Sequence, residues 1–250
     1  MFARLTAFLS VAPIFGHFAV PVQLRTLLAG FTTVAFLIAG IGSDTTIPTP
    51  FGIFLLLMVK EVGFGLLVGF LATLVFSGIG MAAQLIGLQS AFGFTSVVDP
   101  LSRERGTITD QLYLLLAALV FLAVDGHHAL IRAIHRSYEL VPIGNFVLQT
   151  GPDGDMLLNQ IIDTTSAMFE ITLRISLPIL VPLFITDLAM AIIARTMPQM
   201  PVFLIGAPAK ILIALTLLVV TLPALLASMT RVFTQVLTMI MQSMRVSVVG

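Results

Sequence analysis

Three long apolar blocks constrain this chain more than any other feature of its sequence. They cover residues 51–80, 171–194 and 202–227, and only an occasional charged residue or proline interrupts them. A helix that spans a bilayer needs about 20 predominantly apolar residues, and each block reaches that length. Over the whole chain 10% of residues are charged, whereas soluble domains carry about 25%. The sequence therefore predicts a membrane protein, or a subunit enclosed by other subunits.

Shorter helical segments surround these blocks, and no stretch alternates between apolar and polar residues as a strand would. The shorter helices are predicted at residues 5–20, 27–41, 112–124 and 129–140. After residue 230 the apolar side chains share one helical face, which predicts an amphipathic C-terminal helix. Residues 151–155, GPDGD, are typical of a loop. We expect an all-α membrane protein.

Composition excludes several classes of function. The twelve basic and twelve acidic residues cancel, which leaves no electrostatic case for binding nucleic acid. The chain has no cysteine, and therefore no disulfide framework, thiolate metal site or cysteine nucleophile. It also lacks the Walker motif, the GxGxxG motif and the glycine-x-serine pattern of intramembrane serine proteases. We therefore predict neither an enzyme active site nor a cofactor.

Ionisable residues lie inside the apolar blocks, where they are energetically costly and usually face protein or a water-filled cavity. Lys60 and Glu61 are adjacent, so their side chains point about 100° apart on a helix and meet different neighbours. Each is either a buried contact, between subunits or within a gate, or a locally satisfied structural charge. Glu170 and Arg174 stand in the favourable i,i+4 order and are predicted to pair. Asp187 is a stronger candidate for a contact between subunits.

The segment RTMPQMPVFLIGAPAK, residues 195–210, joins the last two apolar blocks. Its three prolines predict a helical hairpin with a rigid turn, because proline ends or kinks a helix. The tip is expected to present Arg195, Gln199 and Lys210. The complete set of predicted subunit-contact residues is Lys60, Glu61, Asp187, Arg195, Pro198, Gln199 and Lys210.

Small residues recur at a spacing that brings helices together. Gly65-x-x-x-Gly69 and Ala83-x-x-x-Gly87 are pairs that allow close approach of two helix backbones. His128, Arg132 and His135 share one helical face, with Asp125 nearby. Two histidines and a carboxylate are metal-ligand types, but the cationic arginine on that face argues against a metal. We predict none.

The segment GLQSAFGFTSVVDPLSRERGTITD, residues 87–110, is the strongest candidate for function. It begins with small and amide residues and breaks at Asp99-Pro100, so a helix is expected to stop near Val98. The charges that follow, from Arg103 onward, require water, a headgroup or a buried partner. An apolar segment joined to a charged hinge is what the plug of a closed pore needs.

Five motifs occur along the chain in a characteristic order. They are APIFG at 12–16 with VP at 20–21 and Arg25; Glu61, Gly65 and GF at 69–70; GLQ at 87–89 with DP at 99–100; GH at 126–127 with PIG at 142–144; and RxxPQxxVFxIGxP at 195–208. In these motifs the chain resembles the FliR family of flagellar export proteins and its counterparts in virulence type III secretion. It departs from the family at its shorter N-terminus and at His128 and Arg132, where family members are often apolar.

The resemblance implies a non-enzymatic, multi-pass subunit of an export gate in the bacterial inner membrane, at the flagellar basal body. FliP and FliQ would assemble with it into a closed helical channel, FlhB would wrap that core, and FlhA and the basal-body ring would lie nearby. Unfolded flagellar proteins would be the cargo, and lipid would surround the complex. Residues 1–150 would be a FliP-like helical part, and residues 151–250 a FliQ-like helical hairpin with the C-terminal amphipathic helix.

By the same resemblance, residues 90–110 would be the plug loop that helps to close the pore. Its sealing side chains would be Phe92, Phe94, Val97 and Val98, followed by the break at Asp99 and Pro100, with Arg103 and Arg105 anchoring or releasing the hinge. Three alternatives stay open: a subunit of a virulence injectisome, a secondary transporter, and a membrane scaffold without a gating role. Transporters share proline-broken helices and intramembrane charges, but this chain lacks their internal repeat.

Overall fold

The computed structural model describes residues 1–16, 20–41, 50–92, 107–140, 143, 152–199 and 201–246. These residues form the helices α1 (Phe2–Val11), α2 (Val22–Ile38), α3 (Phe51–Gln89), α4 (Ile108–Ala123), α5 (Gly126–Leu140), α6 (Pro152–Thr196) and α7 (Val202–Val246). No strand occurs among the described residues, and the all-α prediction is confirmed.

Among the residues that the structure describes, three helices are long and apolar enough to cross a membrane. The spans are Phe51–Gln89, Ile161–Thr196 and Ile205–Thr234. They contain the first two predicted apolar blocks and all but the first three residues of the third. The helices α4 and α5 pass the same test only as a pair, and they are bent by 69° at the break between them. The prediction of a membrane protein is confirmed.

Several helix boundaries differ from the sequence prediction. The helix α1 ends at Val11 rather than at residue 20, and α2 begins at Val22 rather than at residue 27. The helix α3 continues past residue 80 to Gln89, because Gly78 and Gly80 are tolerated in a strongly apolar helix. The predicted loop at residues 151–155 is wrong from Pro152 onward, since proline fits the first turn, where its missing N–H costs nothing. The C-terminal amphipathic segment is the end of α7 rather than a separate helix, because no glycine or proline interrupts residues 224–246.

The chain divides into two compact units, each built from stretches that are distant in sequence. Unit 1 contains Met1–Val75, Leu122–Ser166 and Phe233–Gly250. Unit 2 contains Phe76–Phe121 and Ala167–Val232. The predicted division near residue 150 was defined differently, by the likeness of the two parts of the sequence to FliP and FliQ. That division stays a prediction.

In unit 1, α1 lies directly against the first half of α3. A Cβ atom placed on Gly69 would lie 2.9 Å from the carbonyl oxygen of Phe8, and one on Gly65 would overlap the carbonyl oxygen of Arg4. The hydroxyl of Thr73 donates a hydrogen bond to the carbonyl of Val11 at 2.6 Å. The prediction that Gly65 and Gly69 permit close helix packing is confirmed.

In unit 2, the second half of α3 packs against α6 in the same manner. A Cβ atom on Gly78 would lie 2.8 Å from the carbonyl oxygen of Met168. One turn further along α6, the hydroxyl of Thr172 donates a hydrogen bond to the Gly78 carbonyl at 3.0 Å. The second half of α3 is therefore held against α6 at Gly78.

Substituting Gly65 by alanine is expected to destabilise the protein by about 1–3 kcal/mol, because the new methyl group would be forced against the α1 backbone. Gly63→Ala is the matched control: it lies in the same helix, and a Cβ atom there meets nothing within 4 Å. That control should be neutral or slightly stabilising, since alanine favours a helix over glycine. Thermal unfolding in detergent measures both. Equal shifts in the two variants would contradict the packing described for α1.

Candidate functional site

Unit 2 brings the two ends of the predicted plug segment together. The helix α3 ends at Gln89, and α4 begins at Ile108 after Thr107. Gly87 lies so close to Thr107 that a Cβ atom on the glycine would be 2.6 Å from the threonine hydroxyl oxygen. The chain therefore leaves α3 and enters α4 at neighbouring points. We call this junction the base of the plug segment: Gly87 and Gln89 on one side, Thr107 and Asp110 on the other.

The sequence TITD, residues 107–110, fixes the α4 side of the base through a reciprocal capping box. The backbone N–H of Thr107 donates to Oδ2 of Asp110 at 2.6 Å. The backbone N–H of Asp110 donates to the Thr107 hydroxyl at 3.2 Å. Both groups would otherwise lack a partner in the first turn of a helix. The start of α4 is thus defined locally by two residues.

Three helices of unit 2 meet through a polar triad, which we define as Gln89, Asp187 and Lys210. The amide of Gln89 donates to Oδ2 of Asp187 at 2.6 Å, and the Lys210 ammonium pairs with Oδ1 of the same carboxylate. Each carboxylate oxygen of Asp187 therefore has one partner. This satisfies a charge in an apolar span, where an unpaired carboxylate would be costly.

The triad differs in one respect from the sequence prediction. Lys210, expected at the hairpin tip, lies about two turns inside α7, because Val202 already begins the helix. Asp187 is bound within its own chain, and its predicted contact with another subunit stays a prediction. Gln89 was not predicted as a partner. The available signal was an amide at the end of a long apolar helix, directly before the plug segment.

A second polar network lies in unit 1 around Arg4, which is completely buried. Its guanidinium donates two hydrogen bonds to the Glu61 carboxylate, at 2.7 and 2.9 Å. It also donates to the carbonyl and the hydroxyl oxygen of Ser137, at 2.9 and 3.1 Å. The Tyr138 ring lies against the guanidinium, 4.2 Å from its central carbon to the ring centroid. The network joins α1, α3 and α5.

From the sequence, Glu61 was interpreted either as a contact residue or as a locally satisfied structural charge. The Arg4 network supplies the local partner that the second interpretation requires. Bidentate pairing of arginine with a carboxylate is among the strongest hydrogen-bonded arrangements in proteins. An additional contact of Glu61 or Lys60 with another subunit stays a prediction. The sequence analysis missed Arg4, although Glu61 is the only carboxylate in residues 51–80 and Arg4 stands in a short apolar helix.

The other candidate residues lie at the surface or outside the described part. Arg195 is exposed in the last turn of α6, and Pro198 and Gln199 are exposed in the turn that follows it. Their subunit contacts stay predictions. Phe92 is half-buried in the turn after α3. The remaining plug residues lie outside the described residues, and their roles also stay predictions: Phe94, Val97, Val98, Asp99, Pro100, Arg103 and Arg105.

Two smaller features remain: one pair that was predicted from the sequence, and a cluster that differs from the face of His128, Arg132 and His135 considered there. The pair of Glu170 and Arg174 is confirmed, with a hydrogen bond between the two side chains at the surface of α6. At the start of α5, ligand-type atoms of Asp125, His127 and His128 lie within 4.8 Å of one another. Asp125 already pairs with Nδ1 of His128 at 3.2 Å, at an exposed position, and we assign no ligand to this cluster.

Comparisons with known proteins identify the family of this chain. The sequence profile of the family described as "Bacterial export proteins, family 1" matches residues 1–236. The chain is 30% identical to "Flagellar biosynthetic protein FliR" of Bacillus subtilis (strain 168), over 93% of this chain and 88% of that protein. It is 27% identical to the protein of the same name in Escherichia coli (strain K12), over 93% and 87%.

A protein of a virulence system is also similar. "Yop proteins translocation protein T" of Yersinia pestis is 28% identical over 66% of this chain and 62% of that protein. The flagellar relatives match a larger share of this chain than the Yersinia protein does. The chain therefore belongs to the FliR family of bacterial export proteins, a family of the flagellar export apparatus.

Proposed function

We propose that this chain is a non-enzymatic subunit of the flagellar type III export gate. With FliP and FliQ it would form the closed channel through which unfolded flagellar proteins pass. FlhB would wrap this core, and FlhA and the basal-body ring would lie near it, in the bacterial inner membrane. The family match over residues 1–236 is the observation that carries the proposal.

The exposed apolar surface of α6 and α7 supports an assembly of several subunits in a membrane. Only 11% of the residues in the most apolar stretch of each helix are buried within the chain. Large side chains such as Leu212, Val219 and Val220 are exposed. Contiguous apolar surface of this kind requires lipid or partner helices. In a single chain, lipid would cover this apolar surface. In an export gate, helices of FliP and FliQ would cover part of it.

The base of the plug segment supports the channel role. A segment whose two ends are held at neighbouring points can fill a pore or withdraw from it without moving the helices that carry it. Apolar side chains on such a segment would stop water and ions by dewetting. The helices α3, α6 and α7 would then be the fixed frame of the gate in this chain.

A virulence injectisome is the second candidate function, and the similarity to the Yersinia protein favours it. The flagellar proposal ranks first because the flagellar relatives match about nine tenths of the chain. A secondary transporter is the third. Solute transport by the purified single subunit would support the transporter and contradict the gate.

The proposal is tested by expressing the tagged chain with its neighbouring genes, purifying it in detergent and identifying what is bound by mass spectrometry. We expect small helical partners related to FliP and FliQ. An untagged strain processed in parallel controls for adventitious membrane proteins. Purification of the chain as a stable monomer without partners would contradict the assembly and favour the transporter.

A further inference from the structure

We propose that one face of α6 is the contact surface for a helix of another subunit, and that this helix presents a line of uncharged hydrogen-bond donors. The face carries Glu170, Arg174, Pro178 and Pro182 at intervals of four residues, and we call these four residues the polar row of α6. The proposal rests on the proposed function, because it assumes that the chain is one subunit of an assembly. It adds which face meets a partner and what chemistry that partner has.

The two prolines leave two backbone carbonyls of the polar row without their helical donors. In an α-helix each carbonyl accepts a hydrogen bond from the N–H four residues later, and proline has no N–H. Because Pro178 and Pro182 lie inside α6, the carbonyls of Arg174 and Pro178 lose these donors. The two carbonyls are four residues apart, or about 6 Å along the helix axis. The row thus offers two hydrogen-bond acceptors in line.

The hydroxyl groups nearest to the polar row do not replace the missing donors. Thr172 and Thr186 each donate to the carbonyl of the residue four positions before them, at 2.9 Å in both cases. The hydroxyl of Ser176 is buried and has no hydrogen-bond partner. These three hydroxyls therefore leave both carbonyls of the row available to a donor from another molecule.

The polar row lies on an exposed face of an apolar helix. Arg174 and Glu170 form their ion pair with 52% and 65% of their side chains exposed. Hydrocarbon donates no hydrogen bonds, and charged side chains at membrane depth usually face protein or water. Lipid therefore cannot satisfy this row. The apolar residues that α6 buries lie on another face: Ile171, Ile175, Ile179 and Leu183.

The width of the polar row favours a helix over a water-filled path. The row is one residue wide, and large apolar side chains beside it are exposed: Leu177, Val181 and Ile185. A partner helix with one line of serine, threonine, asparagine or glutamine between apolar residues matches this pattern, because such side chains bond across helices in membranes. Glu170 and Arg174 neutralise each other, so we expect the partner's line to carry no net charge.

Replacing both prolines with alanine tests the acceptors of the polar row. Alanine supplies the missing N–H groups, so both carbonyls are satisfied within α6. In the full chain expressed with its neighbouring genes, we expect Pro178→Ala with Pro182→Ala to bind the partner subunits roughly tenfold more weakly, as two hydrogen bonds between helices are lost. The same variant purified alone should unfold at an equal or higher temperature, because alanine favours a helix. A purely structural role for the prolines would lower both the affinity and the unfolding temperature.

Leu173→Ala is the matched control for the proline variant. It removes an exposed apolar side chain from α6 without creating or removing a hydrogen-bond donor or acceptor. Its affinity for the partner subunits should stay within about twofold of the parent, well below the change that the loss of interhelical hydrogen bonds produces. Parent-like affinity in the double proline variant would overturn the polar row as a contact surface.

Photo-cross-linking tests the polar row with both prolines in place, and it decides the matter if the proline variant is unstable. We expect a benzophenone amino acid at position 181, beside Pro182, to cross-link to another subunit in membranes. Cross-linking to lipid alone would overturn the proposal. The chain has no cysteine, so Val181→Cys places a single thiol beside the row. Labelling of that thiol by a water-soluble maleimide as fast as in the denatured chain would indicate a water-filled path, and would also overturn the proposal.

The partners recovered with the parent chain distinguish this proposal from the proposed function. Recovery of subunits related to FliP and FliQ, without a cross-link from position 181, would support the export gate and contradict the polar row. A cross-link from position 181 to a subunit of an unrelated system would support the polar row and contradict the export gate. Recovery of no partner would contradict both.

Discussion

Replacing Glu61 with leucine is expected to destabilise the protein by about 3–5 kcal/mol, because the substitution leaves the buried Arg4 guanidinium without its carboxylate. Arg4 is fully enclosed, with Glu61, Ser137 and the Tyr138 ring around it, and water cannot replace the lost partner. We expect low recovery from the membrane and a lower unfolding temperature in detergent. The effect should extend to the packing of α1, since Arg4 joins α1 to α3 and α5.

The double variant Arg4→Met with Glu61→Leu distinguishes a stranded charge from a general loss of packing. Removing both partners of a buried ion pair and replacing them with apolar side chains is often nearly neutral. We therefore expect the double variant to recover most of the stability that Glu61→Leu loses. Glu170→Leu, in the exposed pair, should cost no more than about 1 kcal/mol. A double variant as unstable as Glu61→Leu alone would contradict this account of the network.

Replacing Phe94 with glycine is expected to increase passive ion leakage through the assembled complex several-fold. By the family resemblance, this side chain belongs to the apolar seal of the plug, and a seal that works by dewetting fails when its bulk is removed. Phe94 lies outside the described residues, so the prediction comes from the sequence. Conductance of the purified complex in planar bilayers measures it.

The matched control for the plug is Phe51→Gly, which removes an exposed phenylalanine at the start of α3, far along the chain from the plug segment. This control should leave the conductance unchanged. Recovery of the partner subunits with each variant shows that the complex is assembled. Wild-type conductance in an assembled Phe94→Gly complex would exclude Phe94 from the seal, and would favour a scaffold without a gating role.

The helices of this protein were predictable because their signals are local. Residues 51–80, 171–194 and 202–227 are long enough to reveal spans by hydropathy alone. The pair of Glu170 and Arg174 follows from helical spacing, and the close approach at Gly65 follows from the small-x-x-x-small pattern. In each case the residues that form the pattern are also the residues whose structure it predicts, and they lie within one short stretch.

The polar networks were not predictable, because their partners are far apart in the sequence. Arg4 and Glu61 are 57 residues apart, and Gln89 and Asp187 are 98 apart. Helical periodicity gives the face on which a residue lies but not the helix that meets it. The sequence therefore indicated that Glu61 and Asp187 needed partners, and the fold was required to identify them.

Secretion in the source bacterium tests the central claim most directly. A strain that lacks this chain should fail to release flagellar filament and hook proteins into the medium, while still making them in the cell. Expression of the full chain should restore their release, and the Glu61→Leu variant should not. Normal secretion of these proteins without the chain would contradict its role in the export gate.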